Sequence, residues 1–278
     1  MKKVFVFLVM LVLPGVLWAG SLHVVATIYP LTAIVRAVGG DRVEVATLVP
    51  PGVSPHGFEL RPSHMEAIHR ASLLVKVGAY LDDWLDKALT GEGKRVLVLC
   101  RGLDLEEGNP HVWLDPFMVK KRVPELVSLL SQLDPPGTGY YRERGRRFQL
   151  ELERVTAKIR VLLASMPCRY YVAQHGAWRY FCQRFGLTSL GVVEEVPGKE
   201  PGPRRFMFLL KMIKEYAPVL LFADKGGNPR AMEVLARDSG GVLVTLDPLG
   251  DPRDPEKRDL VPLLLHNARR IYHGCTRR

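Results

Sequence analysis

Residues 140–165 read YYRERGRRFQLELERVTAKIRVLLAS, and this stretch organises the rest of the chain. Its apolar residues recur at alternating steps of four and three, the spacing of one face of an α-helix. The stripe consists of Phe148, Leu152, Val155, Ile159, Leu162 and Met166. A helix of about 26 residues is roughly 39 Å long at 1.5 Å per residue, the full height of a domain. We therefore predict a rigid helix that packs along two halves of the molecule.

On both sides of this stretch, short β-branched runs alternate with runs at helical spacing. The predicted strands are 22–28, 43–49, 74–77 and 95–99 before it, and 170–173, 188–193, 219–223 and 242–246 after it. The predicted helices are 31–38, 65–74, 80–89 and 116–133 before it, and 177–185, 205–216, 230–239 and 259–273 after it. Such alternation implies right-handed crossovers and mainly parallel sheets. The predicted fold class is therefore α/β, with two similar lobes of about four strands each and flanking helices, joined by one long rigid helix. We place a signal segment at 1–20, the N-terminal lobe at 21–137, the linking helix at 138–166 and the C-terminal lobe at 167–278.

The first 20 residues have the three-part pattern of an export signal. Lys2 and Lys3 are followed by an apolar run over 4–18 and by the small residues 19–21. The run is shorter than the roughly 20 residues that cross a bilayer. We predict cleavage near 19–21 and a periplasmic protein, without a lipid anchor because no cysteine is near that point.

The formal net charge of +10 falls to +8 without those two lysines, since 10 − 2 = 8. A basic exported protein can meet acidic surfaces, but we do not expect nucleic acid as a partner outside the cytoplasm.

The cysteines are Cys100, Cys168, Cys182 and Cys275, and an oxidising compartment permits disulfides among them. Four cysteines allow three pairings, which the sequence does not separate. We favour Cys168–Cys182, because both lie in one predicted strand–helix unit. No Cys-x-x-Cys spacing is present, so neither a sulfur-rich zinc site nor a thioredoxin-type centre is indicated.

Four candidate metal ligands follow predicted strands, two in each lobe. They are His56 and His111 in the first lobe, and His175 and Asp247 in the second. Open α/β sheets bind ligands outside the carboxyl ends of their strands, so we expect these residues to converge in the cleft between the lobes. A single loop histidine is more often a surface residue, and Asp247 before Pro248 is also suited to capping a turn. The joint arrangement favours a metal site.

Imidazole nitrogens with one carboxylate suit tetrahedral zinc. Four protein ligands leave no open position for water, which favours holding the ion over hydrolysis. No methionine–cysteine cluster is present, which counts against copper(I). His64, His69, His266 and His273 are predicted to be surface residues. Glu59 and Asp115 lie near ligands, where they can orient them or cap helices, and capping is the preferred role for Asp115.

The chain resembles the substrate-binding proteins of zinc and manganese ABC importers over nearly all of its predicted mature length. The matching segments are 27–31 (TIYPL), 39–41 (GGD), 49–52 (VPPG), 55–56 (PH), 109–116 (NPHVWLDP), 175–181 (HGAWRYF) and 246–249 (LDPL). The resemblance implies two lobes on a long helix, a divalent ion in the cleft, delivery to a membrane permease and no enzymatic activity. Position by position, the implied ligands are His56, His111, His175 and Asp247. We expect a monomer.

This chain departs from the family pattern at several points. Ser54 stands where relatives often have Asp, and Gly176 where Asp or another residue often follows the third ligand. The histidine-rich loop of zinc-specific relatives is missing, because residues 81–108 contain no histidine. Manganese-type relatives often have Glu at the third ligand position, whereas this chain has His175. Zinc is therefore the expected cargo, with manganese or iron as the alternative. A zinc hydrolase and a binding protein for an organic solute or metal chelate are the remaining rivals.

Overall fold

A computed structural model describes residues 21–89 and 93–276, and the predicted signal at 1–20 lies outside them. The strands are β1 (Leu22–Ala26), β2 (Val43–Thr47), β3 (Leu73–Lys76), β4 (Arg95–Val98), β5 (Tyr170–Ala173), β6 (Thr188–Val192), β7 (Val219–Asp224) and β8 (Val242–Leu246). The α-helices are α1 (Tyr29–Gly39), α2 (Pro62–Arg70), α3 (Pro116–Leu133), α4 (Thr138–Ala164), α5 (Arg179–Arg184), α6 (Pro203–Glu215), α7 (Arg230–Ser239) and α8 (Leu260–Thr276). Within the described ranges, no helix is both long enough and apolar enough to cross a bilayer.

The strands form two parallel four-stranded sheets of the same topology, in the orders β2-β1-β3-β4 and β6-β5-β7-β8. The inner strands β3 and β7 are buried along their whole length, because helices cover both faces of a parallel sheet. The outer strands β2 and β8 alternate buried and more exposed residues. The predicted fold class of two similar α/β lobes is confirmed.

The long helix α4 packs against α1 and α3 of the first lobe and against α8 of the second. Its buried face consists of Tyr141, Gly145, Phe148, Leu152, Val155, Ile159 and Leu163. The predicted stripe is confirmed from Phe148 to Ile159, but Leu163 is fully buried where Leu162 was expected, and the buried Met166 lies beyond the end of α4. Gly145 permits the close approach of α3, since a Cβ at this position would lie 2.5 Å from Cγ2 of Val127.

Hydrogen bonds and an ion pair connect the two lobes directly. The Trp113 indole N–H donates to the carbonyl of Pro248 at 2.8 Å, and Arg184 holds the Asp115 carboxylate at 2.8–3.2 Å. The Asn109 side-chain amide donates to the carbonyl of Gly176 at 2.7 Å. Asp115 also caps α3 by accepting from the backbone N–H of Phe117, the second residue of the helix, as predicted. Each of these ties lies within a few residues of a candidate ligand.

The predicted helix at 80–89 is wrong. This segment consists of turns and one short 3-10 helix at Asp86–Ala88. The backbone at 78–80 has positive φ values of 85°, 50° and 66°, which end any right-handed helix before it can begin. The buried Asp82 carboxylate then accepts hydrogen bonds from two backbone N–H groups just upstream, at 2.6 and 2.8 Å. Local hydrogen bonds from the backbone to the Asp82 side chain thus form here instead of the i→i−4 hydrogen bonds of an α-helix.

The favoured cysteine pairing is also wrong, because Cys168 bonds to Cys275 at the end of α8. This bridge closes a loop of 107 residues and ties the last helix to the end of α4. Cys182 is buried on α5 and is free, like the buried Cys100. Proximity along the chain was a poor guide, since the C-terminal helix returns to the start of the second lobe.

Candidate metal centre

Loops that follow the strands carry the three candidate histidines. His56 lies in the 3-10 turn Pro55–Gly57 that separates β2 from α2. His111 precedes the turn that leads into α3, and His175 follows β5 by two residues. His56 and His111 lie further from the ends of β2 and β4, but all three loops begin at the carboxyl ends of parallel strands. The histidines therefore project into the cleft from the carboxyl edges of both sheets, as the positional argument predicts.

The three imidazoles converge on one point. Nε2 of His111 lies 3.2 Å from Nε2 of His56 and 3.2 Å from Nε2 of His175. One nitrogen from each ring lies within 4.8 Å of the others. Tetrahedral zinc with Zn–N bonds of about 2.0–2.1 Å keeps neighbouring ligand nitrogens about 3.3 Å apart. The two spacings of 3.2 Å at His111 therefore match those of neighbouring sites of a tetrahedron.

The tautomer of His111 follows from its neighbour Asn109. The Asn109 side-chain nitrogen donates to the carbonyl of Gly176, so its oxygen faces His111. That oxygen lies 2.8 Å from His111 Nδ1 and also accepts from the His111 backbone N–H at 3.0 Å. Because Nδ1 must donate the proton, Nε2 of the neutral ring carries a free lone pair that points into the cluster.

Asp224, the last residue of β7, orients His175 in the same way. Its Oδ2 lies 2.6 Å from Nδ1 of His175, and its Oδ1 accepts from the Trp178 indole N–H at 2.8 Å. A carboxylate that accepts a hydrogen bond from one ring nitrogen of a histidine fixes its tautomer and raises the basicity of the other ring nitrogen. In the neutral ring, Nε2 of His175 is an acceptor that faces the Nε2 acceptor of His111. Two lone pairs 3.2 Å apart require a cation or a proton between them.

The pKa values of the histidines differ because their surroundings differ. Burial lowers the pKa of His56 to about 4, and the neighbouring His175 lowers it further. Burial, followed by the charges of His175 and His56, holds the pKa of His111 well below its usual range. Burial also acts to lower the pKa of His175, but the hydrogen bond and charge of Asp224 and the charge of Glu194 outweigh it and raise this pKa. Any proton in the metal-free cluster therefore resides on His175.

Asp247, the fourth predicted ligand, lies outside this group of nitrogens in the described residues. One carboxylate oxygen accepts from the N–H groups of Leu249 and Gly250 at 3.2 and 2.8 Å, which is the turn-capping role that the sequence also allowed. The other oxygen lies 3.1 Å from the Lys225 ammonium and 3.5 Å from that of Lys257. The structure thus brings three of the predicted residues together and places the fourth in an ion pair beside them.

Two cavities meet at the histidines. One has a volume of about 280 Å³ and is lined by the three imidazoles together with Glu194, Glu200 and Lys225. The other has a volume of about 500 Å³ and opens past Tyr80 and Arg179. Carboxylates near the first opening favour the approach of cations.

Sequence reasoning did not find Asp224 or Asn109, which orient two of the histidines. Asp224 could have been recognised, because a carboxylate at the end of the apolar run 219–224 sits at the same strand edge as the ligands. The role of Asn109 depends on a contact with Gly176 of the other lobe, which the local sequence does not reveal.

Comparison with known proteins bears on this site directly. The family model described as "ZnuA: Zinc-uptake complex component A periplasmic" matches residues 24–274. The chain belongs to this family.

Individual members of the ZnuA family are distant but align over most of both chains. The high-affinity zinc uptake system protein ZnuA of Yersinia pestis is 27% identical over 83% of this chain and 84% of its own length. The Bacillus subtilis protein of the same name is 25% identical over 89% of this chain and 85% of its own length. The crystal structure of a ZnuA deletion mutant with zinc bound has a TM-score of 0.82 and 26% identity, covering 92% of this chain and 98% of that one.

Membership of the ZnuA family confirms the resemblance drawn from the motifs. ZnuA proteins are periplasmic metal-binding components of transport systems and are not enzymes. The chain is therefore a substrate-binding protein that binds a metal ion for delivery to an ABC permease.

Proposed function

We propose that this protein captures one zinc ion between its lobes through His56, His111, His175 and Asp247 and releases it to its permease. Residues 1–20 act as a cleavable export signal, and the mature chain works in the periplasm as a monomer that does not bind nucleic acid. Manganese or iron is the alternative cargo.

A single observation carries this proposal. The Nε2 atoms of His111 and His175 lie 3.2 Å apart. Each ring donates its Nδ1 proton to an oxygen of Asn109 or Asp224, which leaves Nε2 of the neutral ring as an acceptor. A divalent cation at the meeting point of the three rings converts this lone-pair repulsion into coordination. The 3.2 Å distances from His111 Nε2 to the other two Nε2 atoms are those of neighbouring ligands of tetrahedral zinc.

Zinc is favoured over manganese by the type of ligand. Three imidazoles form a nitrogen-rich site, whereas manganese prefers carboxylate, carbonyl and water oxygens in an octahedral arrangement. The zinc-bound ZnuA mutant of the same fold supports the same choice.

Asp247 completes the shell in this proposal. Its carboxylate directly follows β8, on the cleft side of the second lobe. To join the histidines it must leave Lys225 and turn toward the cluster, and the ion supplies the charge that makes this favourable. Three neutral imidazoles and one carboxylate would leave the bound dication with a net charge of about +1.

The test is equilibrium dialysis of residues 21–278 against equimolar zinc, manganese and iron(II), followed by elemental analysis. We expect about one zinc per chain, with manganese and iron well below it. The variant His111→Ala should lose most of the zinc, whereas the surface variant His273→Ala should keep it. Preferential retention of manganese or iron would replace zinc as the cargo. Retention of no metal would refute metal capture.

A further inference from the structure

Lys225 lies at the boundary between the histidine cluster and Asp247. It follows Asp224 at the end of β7 and lines the same cavity as the three histidines. It also lines a smaller cavity of about 100 Å³ together with Asp247. Its ammonium is 3.1 Å from the Asp247 carboxylate. The ammonium of Lys225 thus places one positive charge close to the site at which a bound divalent metal ion would add two positive charges.

The two lysines that contact Asp247 differ in how easily their ammonium groups can move away from its carboxylate. Lys257 is mostly buried, with 12% of its side chain exposed, and it forms a closer ion pair with Asp254 at 2.9 Å. Lys225 is 44% exposed, and the carboxylate of Asp251 lies 4.0 Å from its ammonium. The Lys225 ammonium can therefore move into water without being desolvated, whereas that of Lys257 is held in place.

We infer that Lys225 is an internal counter-ion that exchanges with the incoming metal ion for the Asp247 carboxylate. This inference rests on the proposed function. In the metal-free protein, the ammonium neutralises a carboxylate that is only 7% exposed. When zinc arrives, Lys225 turns to solvent and Asp247 joins the three imidazoles. When the ion leaves, the ammonium returns to Asp247. Lys225 thus acts as a positioning residue that lowers zinc affinity and provides a favourable metal-free state for release.

Removal of the lysine charge should therefore tighten binding. Lys225→Gln abolishes both the competing ion pair and the repulsion of the dication, and we expect zinc affinity to rise by about tenfold. Lys225→Arg keeps the charge and should stay within about threefold of the wild-type affinity. Lys211→Gln removes a charge from the exposed surface of α6 and serves as the matched control.

The exchange with Asp247 is tested by a double-mutant cycle. Affinities are measured by competition with a chromophoric zinc chelator, and the coordination shell is followed by the visible absorption spectrum of the cobalt(II) form. In the Asp247→Asn background, we expect the gain from Lys225→Gln to shrink below about threefold. We also expect Asp247→Asn to alter the cobalt(II) spectrum and Lys225→Gln to leave it unchanged, because the ammonium lies in solvent once the ion is bound.

Three results distinguish a failure of the proposed function from a failure of the counter-ion role of Lys225. If the wild-type chain binds no zinc, or if His111→Ala binds it as well as wild type, the proposed function fails and this inference fails with it. If zinc binds through the histidines but Lys225→Gln leaves the affinity unchanged or weaker, only the counter-ion role is refuted. A full gain that persists in the Asp247→Asn background also refutes the exchange, because simple repulsion then accounts for the effect.

Discussion

The hydrogen bond between His175 and Asp224 provides the sharpest test of how the site works. Asp224→Asn changes one atom and removes one negative charge behind the ligand. Asn Oδ1 can still accept from the Trp178 indole, so the local packing is retained. The new amide N–H₂ faces Nδ1 of His175 and requires that nitrogen to accept. The ring proton is then driven to Nε2, where the metal must bind.

The expected magnitude follows from the geometry. The bond is 2.6 Å long, and the Asp224 side chain is only 7% exposed, so solvent screens it little. Hydrogen bonds to charged groups contribute about 1.5–3 kcal/mol. Loss of an outer partner of a metal-bound histidine lowers metal affinity about 10–100-fold, which corresponds to about 1.4–2.7 kcal/mol. We therefore predict that Asp224→Asn weakens zinc binding by about 10–100-fold.

The assay is competition with a chromophoric chelator at pH 7.5, together with thermal unfolding of the metal-free proteins. Asp238→Asn, which removes an exposed carboxylate from α7, should bind zinc like the wild type. An affinity for Asp224→Asn within about threefold of wild type, in a protein that remains folded, would refute the orienting role. A comparable loss in Asp238→Asn would attribute the effect to overall charge instead.

Four further outcomes are expected. Because only His175 has a raised pKa among the three histidines, it should carry a proton between about pH 5 and 6, where His56 and His111 are neutral. Zinc binding in this range should displace one proton per ion, and log K should rise by about one per pH unit; a slope near three would contradict the assignment. Replacing Cys168 and Cys275 together by alanine should lower the free energy of unfolding by about 2–5 kcal/mol in denaturant titrations, because the bridge closes a 107-residue loop; an unchanged midpoint and slope would contradict this. Gly145→Ala should destabilise by about 1–3 kcal/mol through its clash with α3, whereas Gly139→Ala on the same helix meets no neighbour and should be neutral or stabilising; equal effects would refute the close packing. The ties between the lobes predict that small-angle scattering gives the same radius of gyration with and without zinc, and a large closure would contradict a rigid frame.

Sequence patterns predicted the elements correctly where apolar periodicity controlled the outcome. The helix α3 spans the residues that its apolar spacing and the Asp115–Pro116 start predict, and β5 and β8 match their predicted bounds. The segment 80–89 failed because a carboxylate captured the backbone N–H groups that precede it. The cysteine pairing failed because Cys275 approaches Cys168 only after α8 has packed on α4.

The sequence by itself determined the class of fold and the three histidines. Hydrophobic periodicity fixes which segments become strands and helices, and parallel sheets place the residues after their strands at one edge. Only the tertiary structure decided which side chains form hydrogen bonds and ion pairs with the candidate ligands. Asn109 orients His111 through a carbonyl of the other lobe, and Asp247 is held by Lys225, from the end of a neighbouring strand. Such contacts join residues that are distant in the chain, and their distances and charges exist only after the two lobes have packed on α4.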